Sequence, residues 1–298
     1  MRTRFTWQLA TRELQLGVRT LVMGIVNVTP DSFSDGGLYD TPERAIEHAL
    51  RLLDEGADIL DIGGESTRPG SSPESVSAQQ EQDRILPVIE GVRRARPDSV
   101  LSVDTYKASV AAVALAAGAE IVNDVSGGVW DTAMLPTVAA NACGVVLMHT
   151  RGRPNEWANL PALSEPVAVV CRELSAIAQS AQALGIAHER IVLDPGFGFG
   201  KRGDENYALL AQFSHLATLG FPLLSAPSRK GFLARAVDER LKLTAEVVSS
   251  SPETPSRLNA TLAAVTASVL QGAHIVRVHD VRPAVEAVAI ADAILAAR

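Results

Sequence analysis

The sequence predicts an α/β protein that folds as a single-domain (β/α)8 TIM barrel with an N-terminal β-hairpin. Eight short segments rich in Val, Ile and Leu recur along the chain, patterns typical of helices lie between them, and 298 residues suffice for one such barrel. Parallel strands need crossover connections, which are usually helices, so eight alternations of strand and helix favour a closed barrel. A doubly wound open sheet is the alternative.

The composition limits both the core and the ligands. Hydrophobic residues make up 47% of the chain and aromatic residues only 4%, so Ala, Val, Leu and Ile must build the core, as in parallel sheets covered by helices. The formal net charge of -7 argues against binding to nucleic acid or to an anionic membrane surface, because both need a basic protein surface. An anionic ligand therefore has to be held by a local group of cations.

Cysteine usage and the absence of long apolar runs indicate a cytoplasmic protein. Cys143 and Cys171 are far apart and lack metal-ligand spacing, so we interpret both as core thiols in a reducing compartment. The N-terminal segment has no apolar run of signal-peptide length, and no uncharged apolar stretch reaches the roughly 18 residues of a membrane span.

The predicted elements begin with a hairpin over residues 5–20, where apolar and polar residues alternate and turn. We expect residues 1–20 to close the floor of the barrel and residues 21–298 to form the barrel itself. The eight barrel strands are predicted at residues 21–28, 57–64, 99–105, 119–125, 144–150, 190–196, 221–228 and 274–280.

Capping residues mark several of the intervening helices. Thr41 followed by Pro42 predicts a helix with proline at its first position, and Gly56 ends that helix. Two further helices are predicted over residues 107–118 and 165–185, each closed by a glycine. Residues 238–257 are polar and contain Ser-Ser-Ser-Pro, which predicts a mobile loop or a short helix.

Polar residues follow the predicted strands, at the end where barrels of this class carry their ligand chemistry. Each could simply cap a helix or satisfy its own hydrogen bonds. An unpaired buried polar group costs about 1–3 kcal/mol, however, so this many together indicate a polar ligand between them. The residues are Asn27, Asp61, Asp104, Asn123, Asp124, His149, Asp194, Ser228, Arg229, Lys230, Arg277 and His279.

Residues 194–203 contain a G-x-G-x-x-G pattern directly after a predicted strand. A dinucleotide site needs an acidic residue about 20 positions later, and the apolar stretch FPLLSAPS occupies that place. The segment is not a P-loop, because Lys201 is followed by Arg202 instead of Ser or Thr. We interpret the glycines as points where the backbone approaches a flat ligand beside Asp194, with Phe199 as a stacking face. A plain tight turn is the alternative.

Two groups of polar residues suggest a phosphorylated heterocycle. The first offers acceptors and an amide that suit the edge of a guanine-type or pterin ring, with a lysine able to donate to the ring. It comprises Asp104, Asn123, Asp194 and Lys230. The second is rich in donors and cations that suit phosphate oxygens. It comprises Asn27, Arg68, Arg277 and His279.

Seven motifs, in order, resemble those of the dihydropteroate synthase family. They are MGIVNVTPDSFSDGG (23–37), DIGGESTRPGS (61–71), SVDTYKASVA (102–111), NDVSGG (123–128), DPGFGFGK (194–201), SRK (228–230) and RVHDV (277–281). The resemblance runs from about residue 21 to the C-terminus. It implies a transferase of folate biosynthesis that condenses 7,8-dihydropterin-6-ylmethyl diphosphate with 4-aminobenzoate to give 7,8-dihydropteroate and pyrophosphate. It also implies Mg²⁺, a homodimer and a sulfonamide target.

The resemblance also implies roles for individual residues. The pterin pocket would comprise Asp104, Asn123, Met148, Asp194, Phe199, Lys230 and Arg277. Asn27 would meet the metal and the diphosphate, and Arg68, Arg277 and His279 would surround the phosphates. The 4-aminobenzoate would lie among Phe33, Thr67, Pro69 and Lys230. The catalytic residues would be Asn27, Asp31, Arg68, Lys230, Arg277 and His279, with Asp31 or Asp35 orienting the amine.

Two other functions are alternatives to the synthase. A pterin-binding methyltransferase of related fold needs no diphosphate site, and a non-catalytic pterin-binding paralogue would lose the phosphate-binding groups. The chain keeps Asn27, Arg68 and His279, which favours the synthase. Two features depart from the family pattern. Gly231 follows SRK where many relatives carry a polar or basic residue, and residues 242–255 are longer than the usual connection.

Overall fold

The structure is a computed structural model that describes residues 2–29, 42–65, 76–241 and 255–297. Its N-terminal hairpin consists of β1 (Phe5–Gln8) and β2 (Glu13–Leu16), which pair antiparallel. The parallel strands are β3 (Leu21–Asn27), β4 (Ile59–Gly63), β5 (Val100–Asp104), β6 (Ile121–Asp124), β7 (Gly144–Met148), β8 (Ile191–Asp194), β9 (Leu224–Ser225) and β10 (Ile275–Val278). Each predicted strand is therefore confirmed.

The eight parallel strands form a barrel. They pair in the order β8-β7-β6-β5-β4-β3-β10-β9. A parallel bridge between Leu193 and Leu223 joins the two ends of this order, and the Leu193 N–H donates to the Pro222 carbonyl at 3.0 Å. The predicted (β/α)8 barrel is confirmed, and the open sheet is excluded.

Helices surround the barrel. They are α1 (Pro42–Asp54), α2 (Ala78–Ala95), α3 (Ala108–Ala116), α4 (Met134–Asn141), α5 (Pro166–Ala183), α6 (Gly203–Ala211), α7 (Gly231–Leu241), α8 (Pro255–Leu270) and α9 (Val281–Ala296). In α1, Ala45, Ala49 and Leu52 are buried at helical spacing. Gly118 and Gly185 have φ of 111° and 91° after α3 and α5, so both predicted helix ends are confirmed.

Alternate residues of each strand face opposite sides of the barrel wall. Val22 and Leu60 belong to the large outer core shared with the helices. Met23 and Ile59, their neighbours in sequence, belong to a second core inside the barrel, together with Trp7 of the hairpin. This two-residue period also directs the polar residues at the strand ends.

The hairpin packs at the N-terminal ends of the barrel strands. Trp7 is fully buried, and its Nε1–H donates to the carbonyl of Arg190, directly before β8, at 2.9 Å. Leu16 is buried in the same inner core. The predicted hairpin is confirmed, while the division into units 1–20 and 21–298 stays a prediction.

Two details differ from expectation. Cys143 is buried, but Cys171 is only half-buried, because it flanks the buried face of α5. Both thiols are free. In the polar segment, residues 238–241 continue α7 and residues 255–257 begin α8, so its two ends are helical. Residues 242–254 lie outside the described residues. Of the described helices, none is both long enough and apolar enough to cross a membrane.

Candidate active site

The mouth of the barrel gathers polar side chains from strands that are far apart in sequence. All eight barrel strands run parallel, so their C-terminal ends meet at one rim. The residues that close or follow these strands, or lie on their inward faces near this rim, are Asn27, Asp61, Asp104, Asn123, Met148, Asp194, Arg277 and His279. The predicted clustering of polar residues at the strand ends therefore occurs.

Arg277 links two aspartates on neighbouring strands. Its Nε donates to Asp61 Oδ2 at 2.5 Å, and its Nη2 donates to Asp104 Oδ2 at 2.5 Å. Asn123 Nδ2 donates to the same oxygen of Asp61 at 2.8 Å. Asp61 is fully buried and the Arg277 side chain is 16% exposed, so these charged hydrogen bonds are largely shielded from water. We call these four residues the inner cluster.

Burial and charge act in opposite directions on the inner cluster. Burial raises the pKa of Asp104 to about 7, although the nearby Arg277 favours the carboxylate. Burial acts to lower the pKa of Arg277, but Asp61 and Asp104 outweigh it and raise that pKa. The guanidinium therefore stays charged, and Asp104 becomes ionised as the pH rises through neutrality.

Asp194 ends β8 and is held by its own loop. The Gly196 N–H donates to Asp194 Oδ1 at 2.7 Å, so this contact does not use Oδ2. Burial raises the pKa of Asp194 to about 6, while the Gly196 N–H and the cations Lys230 and Lys201 act to lower it. Asp194 thus provides a second carboxylate that is mostly ionised at neutral pH.

An apolar wall accompanies these polar groups. Val125, Met148 and Phe199 are buried against one another, and we call them the apolar wall. The ring of Trp157 meets Phe199 edge-on, with 5.3 Å between ring centroids. Lys230 Nζ lies 4.2 Å from the centroid of the Phe199 ring. Because apolar surface, carboxylates and an ammonium group lie together, the mouth suits a planar heterocycle with a polar edge.

The loop that carries Lys230 is tied to the end of β10. Arg229 has a φ of 56°, in the left-handed region that side chains rarely adopt. Its backbone N–H donates to Thr261 Oγ1 at 3.0 Å, and its guanidinium binds both carboxylate oxygens of Asp280. These contacts fix the Arg229 side chain on Asp280, and the next residue, Lys230, lies next to the wall.

Ser228 and His279 form a pair at the rim. The His279 backbone N–H donates to Ser228 Oγ at 3.2 Å, and the same Oγ lies 3.0 Å from His279 Nδ1. When the hydroxyl donates to Nδ1, the ring proton is on Nε2. In that tautomer, Nε2 is a donor for an anionic partner.

Several predicted site residues lie outside the described part of the chain. Asn27 is described, half-buried at the mouth end of β3, and its register partner is Gly63. The predicted site residues outside the described ranges are Asp31, Phe33, Asp35, Thr67, Arg68 and Pro69. The structure therefore brings the inner pocket together but does not describe the predicted 4-aminobenzoate loops.

Two described residues have a larger part in the site than the sequence suggested. Asp61 and Ser228 stand among the strand-end polar residues, yet nothing in the sequence pairs Asp61 with Arg277, 216 positions away, or Ser228 with His279. The signal for Asp61 was its position on the inward face of a strand. Its partners follow only from closure of the barrel.

The chain is similar to pterin-binding proteins over most of its length. Residues 23–279 match the pterin binding enzyme family. The dihydropteroate synthase of Synechocystis sp. is 41% identical over 278 residues, which cover 93% of this chain and 91% of the relative. The structure of Xanthomonas albilineans dihydropteroate synthase with 4-aminobenzoic acid has a TM-score of 0.86, 41% identity and 99% coverage of both chains. The same organism's enzyme with 7,8-dihydropteroate has a TM-score of 0.82 and 38% identity, covering 98% of this chain and 99% of that chain.

Proposed function

This chain belongs to the dihydropteroate synthase family, and we propose that its barrel mouth binds the pterin ring in an inner pocket and the diphosphate at an outer rim. The protein is a transferase of folate biosynthesis. It condenses 7,8-dihydropterin-6-ylmethyl diphosphate with 4-aminobenzoate to give 7,8-dihydropteroate and pyrophosphate. The observation that carries the assignment of residues is the inner cluster beside the apolar wall.

The inner pocket suits the pterin ring. The pyrimidine edge of a pterin carries amino and ring N–H donors, which carboxylates accept well. Asp104 and Asp194 each use one oxygen in the contacts above, Oδ2 and Oδ1 respectively. Asn123 and Arg277 hold the floor of the pocket through Asp61. In this arrangement, the ring lies against Met148 and Phe199, and Lys230 donates to a ring carbonyl or nitrogen.

The outer rim suits the diphosphate. His279 offers Nε2–H in the tautomer that its contact with Ser228 allows, and Arg277, two residues earlier in the chain, adds a fixed positive charge. Cationic and N–H donors favour the charge that develops on the leaving pyrophosphate as the bond from the pterin methylene to oxygen breaks. The amine of 4-aminobenzoate then forms the new C–N bond and releases a proton. The roles of Asp31 and Arg68 in these steps stay predictions.

The described residues fit a magnesium ion that is held mainly by the substrate. Mg²⁺ commonly binds through one or two protein oxygens together with substrate phosphates and water. Asn27 offers one amide oxygen at the mouth end of β3, and the described ranges contain no cluster of three or more His, Cys, Asp or Glu residues able to hold a metal. We therefore propose Asn27 as the protein ligand. When bound, Mg²⁺ neutralises part of the negative charge on the leaving group.

Pyrophosphate release tests the assignment. The rate of release from the dihydropterin diphosphate is measured with and without 4-aminobenzoate and Mg²⁺. Both additions should be needed for the full rate. Asn27→Ala and Lys230→Ala should slow it, since the first removes the proposed metal ligand and the second a ring donor. If both variants released pyrophosphate as fast as the parent protein, these assignments would be wrong.

We also propose a cytoplasmic homodimer. The free thiols Cys143 and Cys171 suit a reducing compartment. On α9, Ile290 is 65% exposed and Ile294, one turn later, is 43% exposed, which leaves apolar surface suited to a second copy. Ile290→Glu should lower the sedimentation coefficient from that of a dimer to that of a monomer. A parent protein that sediments as a monomer would contradict the proposal.

A further inference from the structure

The glycine loop after β8 folds around a buried ammonium group. Lys201 is 7% exposed, and its Nζ donates to three backbone carbonyls: Gly196 at 2.8 Å, and His149 and Phe199 at 3.2 Å each. An ammonium group has three N–H donors, so these contacts can use all of them. Lys201 therefore stabilises the loop from within, and its contacts differ from those of a lysine that binds phosphate.

The backbone of this loop leaves little room for adjustment. Gly196 has a φ of 66°, and a Cβ there would lie 2.0 Å from the His149 carbonyl oxygen. The end of β7 and the loop after β8 are thus in direct contact, with Lys201 binding carbonyls of both. Asn206 also fixes the loop: its Oδ1 accepts the Gly198 N–H at 2.7 Å, and its Nδ2 donates to the Lys201 carbonyl at 3.1 Å.

Lys201 and Asp194 also influence each other's charge. Burial lowers the pKa of Lys201 to about 7, with Lys230 and Arg151 acting in the same direction and Asp194 and Glu173 opposing it. Burial raises the pKa of Asp194 to about 6, and Lys201 is one of the cations that lower it, with Lys230 and Arg277. Each of the two groups therefore favours the charged form of the other.

We propose that Lys201 is a positioning residue of the pterin pocket: its ammonium group brings positive charge to the loop whose Gly196 N–H holds Asp194, and its bond to the Phe199 carbonyl holds Phe199 in the apolar wall, while its own donors bind only backbone. The inference rests on the proposed function, since it assumes that Asp194 and Phe199 contact the pterin. The glycines allow the left-handed backbone turns with which two carbonyls of this loop, together with that of His149, converge on one ammonium group.

Binding of 6-hydroxymethyl-7,8-dihydropterin, the substrate without its diphosphate, tests the inference. Its Kd is measured by calorimetry across the pH range for the parent, Lys201→Met and Lys201→Gln proteins. Asp104 and Asp194 both contribute to the pH profile of binding, and only the contribution of Asp194 should change. Loss of the positive charge raises the pKa of Asp194 further, so the midpoint of that contribution should move up by about one unit in both variants. Near pH 5, about one unit below the pKa of Asp194 in the parent, this shift corresponds to a Kd about tenfold higher.

Arg202→Met is the matched control. Arg202 adjoins Lys201, but it is exposed and donates outward to the Leu160 carbonyl at 2.9 Å, so its loss should leave the pH midpoint unchanged. Lys201→Gln retains donors for two carbonyls, which keeps the loop folded if the Met variant unfolds.

In the parent, ¹⁵N NMR of the lysine ammonium groups should show that dihydropterin binding raises the pKa of Lys201.

The outcomes separate the inference from the proposed function. Folded Lys201 variants that bind dihydropterin with the parent Kd and the parent pH midpoint would overturn the inference. A midpoint that moves in Lys201→Met but not in Lys201→Gln would also overturn it, because the cause would then be lost donors and not lost charge. A parent protein that does not bind dihydropterin would instead contradict the proposed function.

Discussion

At the scale of single residues, Asp61 organises the site without an assigned substrate contact. Its Oδ2 accepts from Arg277 and Asn123, and its Oδ1 has no hydrogen-bond partner within the described ranges. A buried carboxylate that binds two pocket residues fixes the direction of both. Its effect on the substrate is therefore indirect, through the orientation of Arg277 and Asn123.

Asp61→Asn should weaken pterin binding. The amide keeps the shape of the side chain but removes the charge that pairs with Arg277, and a hydrogen bond to a charged group contributes about 1.5–3 kcal/mol. We expect the Kd for dihydropterin, measured by calorimetry, to rise about tenfold or more. Asp58→Asn is the control, because Asp58 pairs with Arg19 before β4, away from the mouth. Equal affinities for the parent and Asp61→Asn would show that the inner cluster does not orient the pocket.

Ser228→Ala should affect the diphosphate and spare the pterin ring. Without the hydroxyl, His279 loses its Nδ1 contact and the partner of its backbone N–H. We expect kcat/KM for the dihydropterin diphosphate to fall about tenfold, the loss typical of one buried hydrogen bond left unmade. The Kd for dihydropterin without diphosphate should stay unchanged.

Ser225→Ala is the control for that experiment. Ser225 is also buried and bonded to another hydroxyl, that of Ser268 at 2.8 Å, but it lies within β9 and not at the rim. It should leave kcat/KM unchanged. If Ser228→Ala weakened binding of the ring and of the diphosphate substrate equally, the effect would be a general distortion of the loop.

At the scale of secondary-structure elements, the local sequence pattern is sufficient to predict that a strand or helix exists. It is insufficient to predict which other elements that strand or helix packs against. The strands were visible because a parallel strand that is buried on both faces is a nearly continuous run of apolar residues, as in residues 21–28. Helix ends were visible at Gly118 and Gly185 because a left-handed φ favours glycine. The half-buried position of Cys171 was not visible, since it depends on which face of α5 the barrel covers.

The hairpin should contribute stability and leave the chemistry unchanged. Trp7→Ala removes a fully buried indole and its bond to the Arg190 carbonyl, so urea unfolding should show a loss of about 3–5 kcal/mol. At a temperature where the variant is folded, kcat/KM should match the parent, because the mouth lies at the opposite end of the barrel. Thr6→Ala, on the half-buried face of the same strand, should change stability by less than about 0.5 kcal/mol. A parallel loss of activity in Trp7→Ala would contradict this separation of roles.

At the scale of the whole molecule, the identity of the site residues was predictable and their network was not. Motifs such as DPGFGFGK and RVHDV identified Asp194, Arg277 and His279 through their resemblance to a family. The bond from Arg277 to Asp104 spans 173 positions, and the contacts of Lys201 need both β7 and the loop after β8. Such contacts exist only when the barrel is closed, so no local signal reports them.

Acid stability should depend on a buried histidine that joins the hairpin side to the barrel. His274 Nδ1 accepts the Leu223 N–H at 3.1 Å, and Nε2 lies 3.0 Å from the Thr3 carbonyl, which fixes a neutral ring. Burial lowers its pKa from 6.5 to about 4. The unfolded chain therefore binds the proton first, and the stability is present above about pH 6.5 and is lost as the pH falls toward 4.

His274→Gln should remove this pH dependence while keeping the donor to Thr3. Between about pH 7.5 and pH 5, the parent should lose about 2 kcal/mol more free energy of unfolding than the variant. Urea titrations at the two pH values measure the difference. The comparison with the parent cancels the opposite contributions of Asp104 and Asp194, whose raised pKa values favour the folded state at lower pH. Equal losses in both proteins would assign acid sensitivity to other groups.

The short β9 makes one joint of the barrel weaker than the rest. A single bridge connects Leu193 to Leu223, whereas β3 and β4 share five paired residues. Few backbone bonds must break at this joint, so we expect local opening of the wall to begin there. The same gap lies between the strands that lead to Asp194 and to Lys230, so partial opening would widen the slot for the ring without disturbing the inner cluster. The barrel wall is thus easiest to open next to the proposed ring slot. Amide hydrogens should exchange faster between β8 and β9 than elsewhere in the wall.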